Sequence, residues 1–567
     1  METFRAFLRI AAPYWGSYVR WREWLILAAA IGCSLAFIRV TVAINTWHKE
    51  FYDALAAFDG AIMPALLLRY LGYLALIVGF IAAGNWLGKV VVFRWRESLT
   101  HYFQRAWLDE HRHYRHQLDG EPDNPDQRIA EDLRRLADES MYLFKYFVMN
   151  LARLGAFVAI LWELSGVQAF YLGGVEITVN GYLVWIAMAY SIISTGLIHL
   201  IGNKLHGLNI DQQRREADYR ACLLRVRDHS EQIALYGGEH SEDRRLSDRF
   251  ALIKRNWFAL IGREFRVECF SAAQMRIAWF IPIAAILPRY LDRSIGLGEM
   301  MQAQSAFSNV LDGFGWFLNY YKRIMEWSAV VRRIAQFKQA LNELQRKQSD
   351  FCKAGGEWPH LRIHHLDVFD TSGRPLIEGV TIDVSSPCWL LVDGPSGIGK
   401  STFLRVLANL WPYYSGDFCI RGKALFLPQE TYLPTDTLRR ALCYPSTTCR
   451  DDEEIADTLA VVGMGHLASS LDREEEWSKI LSGGERQRLA VVQALLFQPD
   501  ILFLDEITSQ IDPSAAIGLV RILKEKLPNA LVVGVAHQPE VKAEFEDTIL
   551  RNSNFRDKTN DVFSCMG

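Results

Sequence analysis

Trp389-Leu390-Leu391-Val392-Asp393-Gly394-Pro395-Ser396-Gly397-Ile398-Gly399-Lys400-Ser401-Thr402 is the stretch that decides how the second half of this chain folds. Its apolar opening reads as a buried strand, and the glycine-rich run after it reads as a tight loop leading into a helix. Glycines let the backbone curl so that successive N–H groups point at one anion, and the helix N-terminus adds a favourable dipole. Residues Gly394 to Ser401 match the P-loop pattern GxxxxGK[ST] in full. In that pattern Lys400 reaches the β- and γ-phosphates of a nucleotide and the Ser401 hydroxyl ligates Mg²⁺. The segment Gly394–Thr402 is therefore the candidate ATP-binding loop, with ATP and Mg²⁺ as the implied ligands.

Downstream, Ile501-Leu502-Phe503-Leu504-Asp505 is an apolar strand ending in an acid, the Walker B pattern, followed by Glu506. Asp505 is placed to hold the Mg²⁺ shell, and Glu506 to accept a proton from an attacking water. A further strand, Leu531–Val535, leads to His537. Alternating buried strands and helices predict an α/β domain with a parallel sheet, in which the Walker B strand is expected alongside the P-loop strand. Between them lies Leu481-Ser482-Gly483-Gly484-Glu485-Arg486-Gln487-Arg488-Leu489-Ala490, a second helix-N-terminal anion site.

An LSGGE segment about 20 residues before Walker B, in a chain with a P-loop, resembles the signature of ABC ATPases. The resemblance implies that Ser482, Gly483, Gly484 and Glu485 contact the γ-phosphate held by an opposite subunit. It also makes Gln429 the Q-loop residue that senses Mg²⁺ and water, Asp512 the D-loop aspartate and His537 the switch histidine. Glu506, His537 and Gln429 are then the candidate catalytic residues, and Ser401, Gln429 and Asp505 the candidate metal ligands. Two features depart from the family pattern. The D-loop reads Glu506-Ile507-Thr508-Ser509-Gln510-Ile511-Asp512 in place of EATSALD, and only Phe369 lies where an adenine-stacking aromatic is expected.

The first half has a different composition. Six apolar runs, roughly 24–44, 65–85, 141–163, 181–201, 271–291 and 299–323, are long enough to cross a ~30 Å hydrocarbon core. The third contains Lys145 and Arg153, and the sixth contains Asp312; Arg39 and Arg276 lie in two others. The run Leu183–Ile201 has no Asp, Glu, Lys or Arg, which argues against a soluble helical protein. Two long polar helical stretches, Lys89–Asp138 and Asn203–Arg266, carry nine and about a dozen Lys/Arg, whereas Ser165–Asn180 has none. The positive-inside rule places those stretches and both termini in the cytoplasm. Trp15, Trp21 and Trp24 read as an interfacial belt or an amphipathic elbow helix. The N-terminus lacks a cleavable-signal pattern, and the C-terminus Ser564-Cys565-Met566-Gly567 is not a peroxisomal signal.

The whole reads as a six-span α-helical transmembrane bundle (1–330), a linker (331–358) and an α/β P-loop ATPase domain (359–567). A net charge of −3 gives no basic excess for nucleic acid. The nine cysteines have no metal-ligand spacing and read as buried or inert thiols in a reducing cytosol.

Asn45-Thr46-Trp47 with Phe51-Tyr52-Asp53-Ala54-Leu55, Arg94-Trp95-Arg96, and Asn124-Pro125-Asp126-Gln127-Arg128-Ile129 with Glu131-Asp132 resemble motifs of the SbmA/BacA-like and peroxisomal (subfamily D) ABC transporters. So do Glu231-Gln232-Ile233-Ala234-Leu235-Tyr236-Gly237, a cytoplasmic contact with the ATPase domain in that family, and Asn409-Leu410-Trp411-Pro412 with Gly416, its GLWPxGxG. The resemblance implies an exporter-type fold, a homodimer in membrane lipid, and a transported solute. It favours a bacterial inner membrane and uptake of a large polar or amphipathic compound, such as a peptide or a cobalamin-like molecule. Export of a drug, lipid or acyl-CoA is the alternative. A nucleotide-gated channel or regulator is a further one, disfavoured by the intact Glu506 and signature.

Overall fold

The computed structural model describes residues 2–16, 20–119, 124–172, 175–346, 360–385 and 387–549. Residues 347–358 of the expected linker and the C-terminal tetrapeptide lie outside these residues. The chain divides into two compact units, one of residues 1–106 and 122–339, the other of residues 107–121 and 340–567.

The first unit is helical. An amphipathic helix α1 (Glu2–Trp15) buries Ile10, Ala11 and Tyr14. Trp15 packs on Trp24 and Trp95 at 5.1 and 5.6 Å between ring centroids, while Trp21 and Trp24 stay half exposed, the arrangement expected of an elbow at an interface. Helices α2 (Trp21–Ala56) and α3 (Met63–Leu108) follow. The expected continuous polar helix across 89–138 is broken: a 3₁₀ turn at Asp109–His111 has Glu110 and His111 at φ +52° and +59°. The next helix, α4 (Arg112–Asp119), lies in the segment grouped with the second unit.

Helix α5 (Leu133–Ser165) leads through an antiparallel hairpin, β1 (Val167–Leu172) and β2 (Val175–Asn180), to α6 (Tyr182–Gly202) and α7 (Leu205–Asp228). A short α8 (Ser230–Tyr236) ends at left-handed Gly237 and exposes Leu235 and Tyr236. The 53-residue α9 (Glu239–Leu291) precedes α10 (Leu297–Phe314) and α11 (Trp316–Arg346).

Five helices among the described residues are long and apolar enough to cross a membrane. The sixth expected span, 299–323, differs: Gly315 divides it into α10 and α11. In helix α10 Gln302 is buried, and Ala303, Ala306, Phe307 and Val310 pack in one core with Phe157 and Leu161 of α5, Leu183 of α6 and Ile286 of α9. Some of the charged groups in these spans have polar partners within the unit. Arg153 lies 3.7 Å from Asp312, and Lys145 donates to Asn85 at 2.7 Å. Asp132, from the Asn124–Asp132 motif, is 2% exposed and accepts from Arg333 at 2.6 and 2.8 Å and from Arg128 at 2.9 Å. Removing one partner of such a pair leaves a buried charge uncompensated, at a cost of about 3–5 kcal/mol.

The second unit is α/β. Its five-stranded sheet has the order β10 (Asp547–Ile549), β5 (Trp389–Val392), β9 (Leu531–Val535), β8 (Ile501–Asp505), β7 (Ala424–Leu427), with every pairing parallel. A three-stranded antiparallel sheet, β4 (Pro375–Val384), β3 (His360–Phe369), β6 (Tyr414–Arg421), joins it. The central strands are apolar on both faces because both are covered: Leu502, Leu504 and Val532 face one core cluster, Ile501, Phe503 and Val533 the other. The Walker B strand β8 does not lie alongside the P-loop strand β5, as expected from sequence. Strand β9 separates them, so the strand carrying His537 at its end sits between the two.

Candidate ATP-hydrolysis site

Strand β5 runs into the P-loop, and helix α12 (Lys400–Leu407) starts at its last lysine. Gly399 adopts φ +104°, and a Cβ there would come within 2.9 Å of Leu376, so glycine is required by both conformation and space. Lys400 is buried and donates to the Gly394 carbonyl at 2.7 Å, curling the side chain back over the loop. Asp393 pairs with Lys542 at 2.6 Å and fixes the loop's entry.

Across the gap left by β9, the Ser401 hydroxyl donates to the Asp505 carboxylate at 2.8 Å. Burial pushes the Asp505 carboxyl above its ordinary range; the Ser401 bond opposes that and neighbouring Glu506 adds to it. A hydroxyl and a buried carboxylate form an oxygen donor set that suits a hard cation such as Mg²⁺. Glu506 is held at φ +52°, a left-handed conformation costing about 1–3 kcal/mol in a non-glycine residue. Its two carboxylate oxygens meet His537 Nε2 at 2.6 Å and Gln429 Nε2 at 3.1 Å. Residues from three separate chain segments thus converge on one carboxylate.

The signature forms a different structure. Ser482 caps helix α14 (Gly483–Phe497) in a reciprocal capping box: its hydroxyl accepts from the Glu485 N–H, and its own N–H donates to the Glu485 carboxylate at 2.9 Å. Those bonds hold the Glu485 carboxyl below its ordinary range. Asp512 likewise accepts from Ser514 and from the Ala515 N–H at the start of α15 (Pro513–Lys526), which lowers its carboxyl. Phe369 ends β3, where its carbonyl accepts from the Trp411 indole at 2.8 Å and its N–H donates to Tyr413.

Several further residues position the site through contacts that their place in the sequence does not signal. Gln487 accepts from the Gln510 N–H at 2.9 Å and donates to Ser509 at 3.1 Å, and Gln538 donates to the carbonyls of Thr508 and Ile511. Together they pin the loop between Glu506 and Asp512. A Cβ on Gly483 would strike the Gln510 side chain at 1.8 Å, so the signature and D-loop pack without room for one. In the segment 107–121, buried Arg115 donates to the carbonyl and side-chain oxygens of Asn409 at 2.8 and 3.2 Å. Asn409, at φ +56°, follows α12 where the family motif has glycine; asparagine tolerates that conformation better than most residues and adds an acceptor.

A nucleotide-binding loop, a Walker B carboxylate with its Gln–Glu–His cluster, and a capped signature helix behind a helical membrane unit define an ATP-hydrolysing membrane transporter. The family of ABC transporter transmembrane region 2 matches residues 10–287, and the ABC transporter family matches residues 377–509. The Escherichia coli inner membrane ABC transporter ATP-binding protein YddA is 32% identical over 94% of this chain and 95% of its own length. The chain belongs to the ABC transporters, as a subfamily D-type half-transporter that fuses membrane and ATPase domains. The human lysosomal cobalamin transporter ABCD4 is 23% identical over 92% of this chain and 90% of its own. The structure of a bacterial Atm1-family ABC exporter with ATP bound matches at a TM-score of 0.70 and 17% identity, covering 92% of this chain and 93% of that one, which shows the shared exporter-type fold.

Proposed function

We propose that this protein works as a homodimer in a bacterial inner membrane, with its ATPase domains (359–567) in the cytosol and a transmembrane domain (1–330) that takes up a large polar or amphipathic solute. The observation that carries the ATPase part is the convergence of Gln429 and His537 on Glu506 beside the Ser401–Asp505 contact. Gly394 to Thr402 wrap the nucleotide phosphates, and Lys400 leaves the Gly394 carbonyl for the β- and γ-oxygens. Phe369 stacks on the base. Ser401, Asp505 and Gln429 would hold Mg²⁺, which would supply positive charge to the phosphates. Glu506 takes the proton of the attacking water, oriented by His537 and Gln429. Ser482, Gly483, Gly484 and Glu485 of one copy, with Asp512, close on the γ-phosphate held by the other.

The polar cargo rests on family resemblance and on Arg39, Arg276 and Asp312 in the spans. Each would cost about 2.5–3.5 kcal/mol facing lipid, and a wet path removes most of that cost. The similarity to a lysosomal cobalamin transporter points the same way. Transport into proteoliposomes tests this reading, with labelled peptide, labelled cobalamin and labelled lipid and the ATPase domains facing either side. ATP-driven movement of peptide or cobalamin towards the ATPase side is expected. Movement of lipid alone removes the polar-cargo reading, and movement of solute only away from that side replaces uptake with export.

A further inference from the structure

Two of the cysteines meet in the ATPase domain. Cys443 ends helix α13 (Leu438–Cys443) and is 5% exposed, whereas Cys449 lies on the surface. Between them the chain turns back: the Ser446 N–H donates to the Cys443 carbonyl at 2.8 Å, and the Ser446 hydroxyl to the Thr448 carbonyl at 3.0 Å. The turn brings the Cys449 Sγ to 4.0 Å from the Arg439 carbonyl, the acceptor that helical pairing assigns to the Cys443 amide. The Cys449 sulfur thus lies over the last turn of the helix that carries Cys443, close enough to help raise the Cys443 thiol.

We propose that Cys443 and Cys449 are a peroxide-oxidisable thiol pair that closes to a disulfide and slows the ATPase. Exposed Cys449 is the sulfur that peroxide reaches. Its thiolate attacks one peroxide oxygen, the O–O bond breaks, and Cys449 sulfenic acid and hydroxide form. The Cys443 sulfur then attacks the Cys449 sulfur. The S–O bond breaks, and the oxygen leaves as water with the Cys443 proton. One peroxide is reduced by two electrons, and two thiols become one disulfide. Burial pushes the Cys443 thiol up to about 11, which keeps it protonated and unreactive until its neighbour is activated.

The pair sits where it can act on the signature. Gln493 of α14 donates to the Ala441 carbonyl at 2.9 Å, a buried bond. Arg450 donates to the Leu496 carbonyl at 3.3 Å and to the Gln498 side chain at 3.1 Å, at the far end of the same helix. Residues 441 and 450 flank the cysteines and both grip the signature helix. A disulfide fixes the spacing of those two grips and restricts the movement of the helix that carries Ser482.

The purified full-length protein in nanodiscs is treated with hydrogen peroxide and digested with trypsin without reductant. Cleavage after Arg440 and Arg450 releases residues 441–450 with both cysteines on one peptide. The expected result is a loss of two hydrogens from that peptide, protection from alkylation, and at least a threefold fall in ATPase rate, all reversed by dithiothreitol. Cys449→Ser is expected to keep its ATPase through the same treatment, and Cys443→Ala to take Cys449 on to sulfinic acid. If the wild-type peptide stays alkylatable, or Cys449 is overoxidised while Cys443 remains a free thiol, the pair is overturned. If the disulfide forms and the ATPase rate is unchanged, its hold on the signature helix is overturned.

Discussion

The P-loop and the signature use the same device, a helix N-terminus behind glycines, and leave it in opposite electrostatic states. At the P-loop the acid Asp505 is pushed up by burial, and Lys400 is folded onto a backbone carbonyl. At the signature, Ser482 and Glu485 satisfy each other, and Glu485 is held down. Among the described residues no hydrogen bond or ion pair joins residues 481–485 to residues 394–401. One side is prepared to bind, the other to present a finished surface, and the two do not meet within one chain. This difference motivates the proposed homodimer, in which each signature would complete the other copy's P-loop.

The sharpest test on the P-loop side is Glu506→Gln. General-base assistance is worth roughly 10²–10⁴-fold, so phosphate release is expected to fall by about that factor while nucleotide binding persists. Near-normal turnover would remove Glu506 from its role. The division into half-sites is tested by mixing chains carrying Lys400→Ala with chains carrying Gly483→Asp. Each variant alone is expected to be inactive. Mixed dimers pair one intact P-loop with one intact signature, so ATPase activity should return after subunit exchange; continued inactivity would break the comparison.

Smaller effects probe the signature cap and the opposed carboxylates. Ser482→Ala deletes an N-cap worth typically about 1 kcal/mol, and thermal unfolding should report a loss of that order. The pH response should differ in sign between the two acids. Glu485 has a lowered carboxyl, so its stabilisation is present above the ordinary carboxylate range and lost as pH falls through its depressed value. Asp505 has a raised carboxyl, so its ionisation costs the folded state stability as pH rises through the ordinary range to its raised value. Melting curves against pH, with and without Mg²⁺, should show an acid-side loss that Glu485→Gln reduces. They should also show a gain from Mg²⁺ that grows with pH and that Asp505→Asn flattens.

Much of this was readable from residues alone. Glycine at 399, an acid at the end of an apolar strand and a Ser–Glu pair three residues apart are demands of local geometry and chemistry, so Gly394–Ser401, Ile501–Asp505 and Leu481–Glu485 announce themselves by spacing. The long apolar runs do so by length, because crossing a bilayer is also a one-dimensional requirement. What tertiary structure decided involves partners distant in the chain. Only the sheet order placed β9 between the P-loop and Walker B strands, and only chain crossing brought Gln429 and His537 to the two oxygens of Glu506. The contacts of Gln487 and Gln538, the docking of Arg115 on Asn409 and the approach of Cys449 to the helix end that carries Cys443 depend on distant side chains that no local pattern announces. The break at Gly315 within the sixth expected span is of the same kind: a helix buried among other helices answers to packing, and its small and polar residues are set by neighbours the sequence does not display.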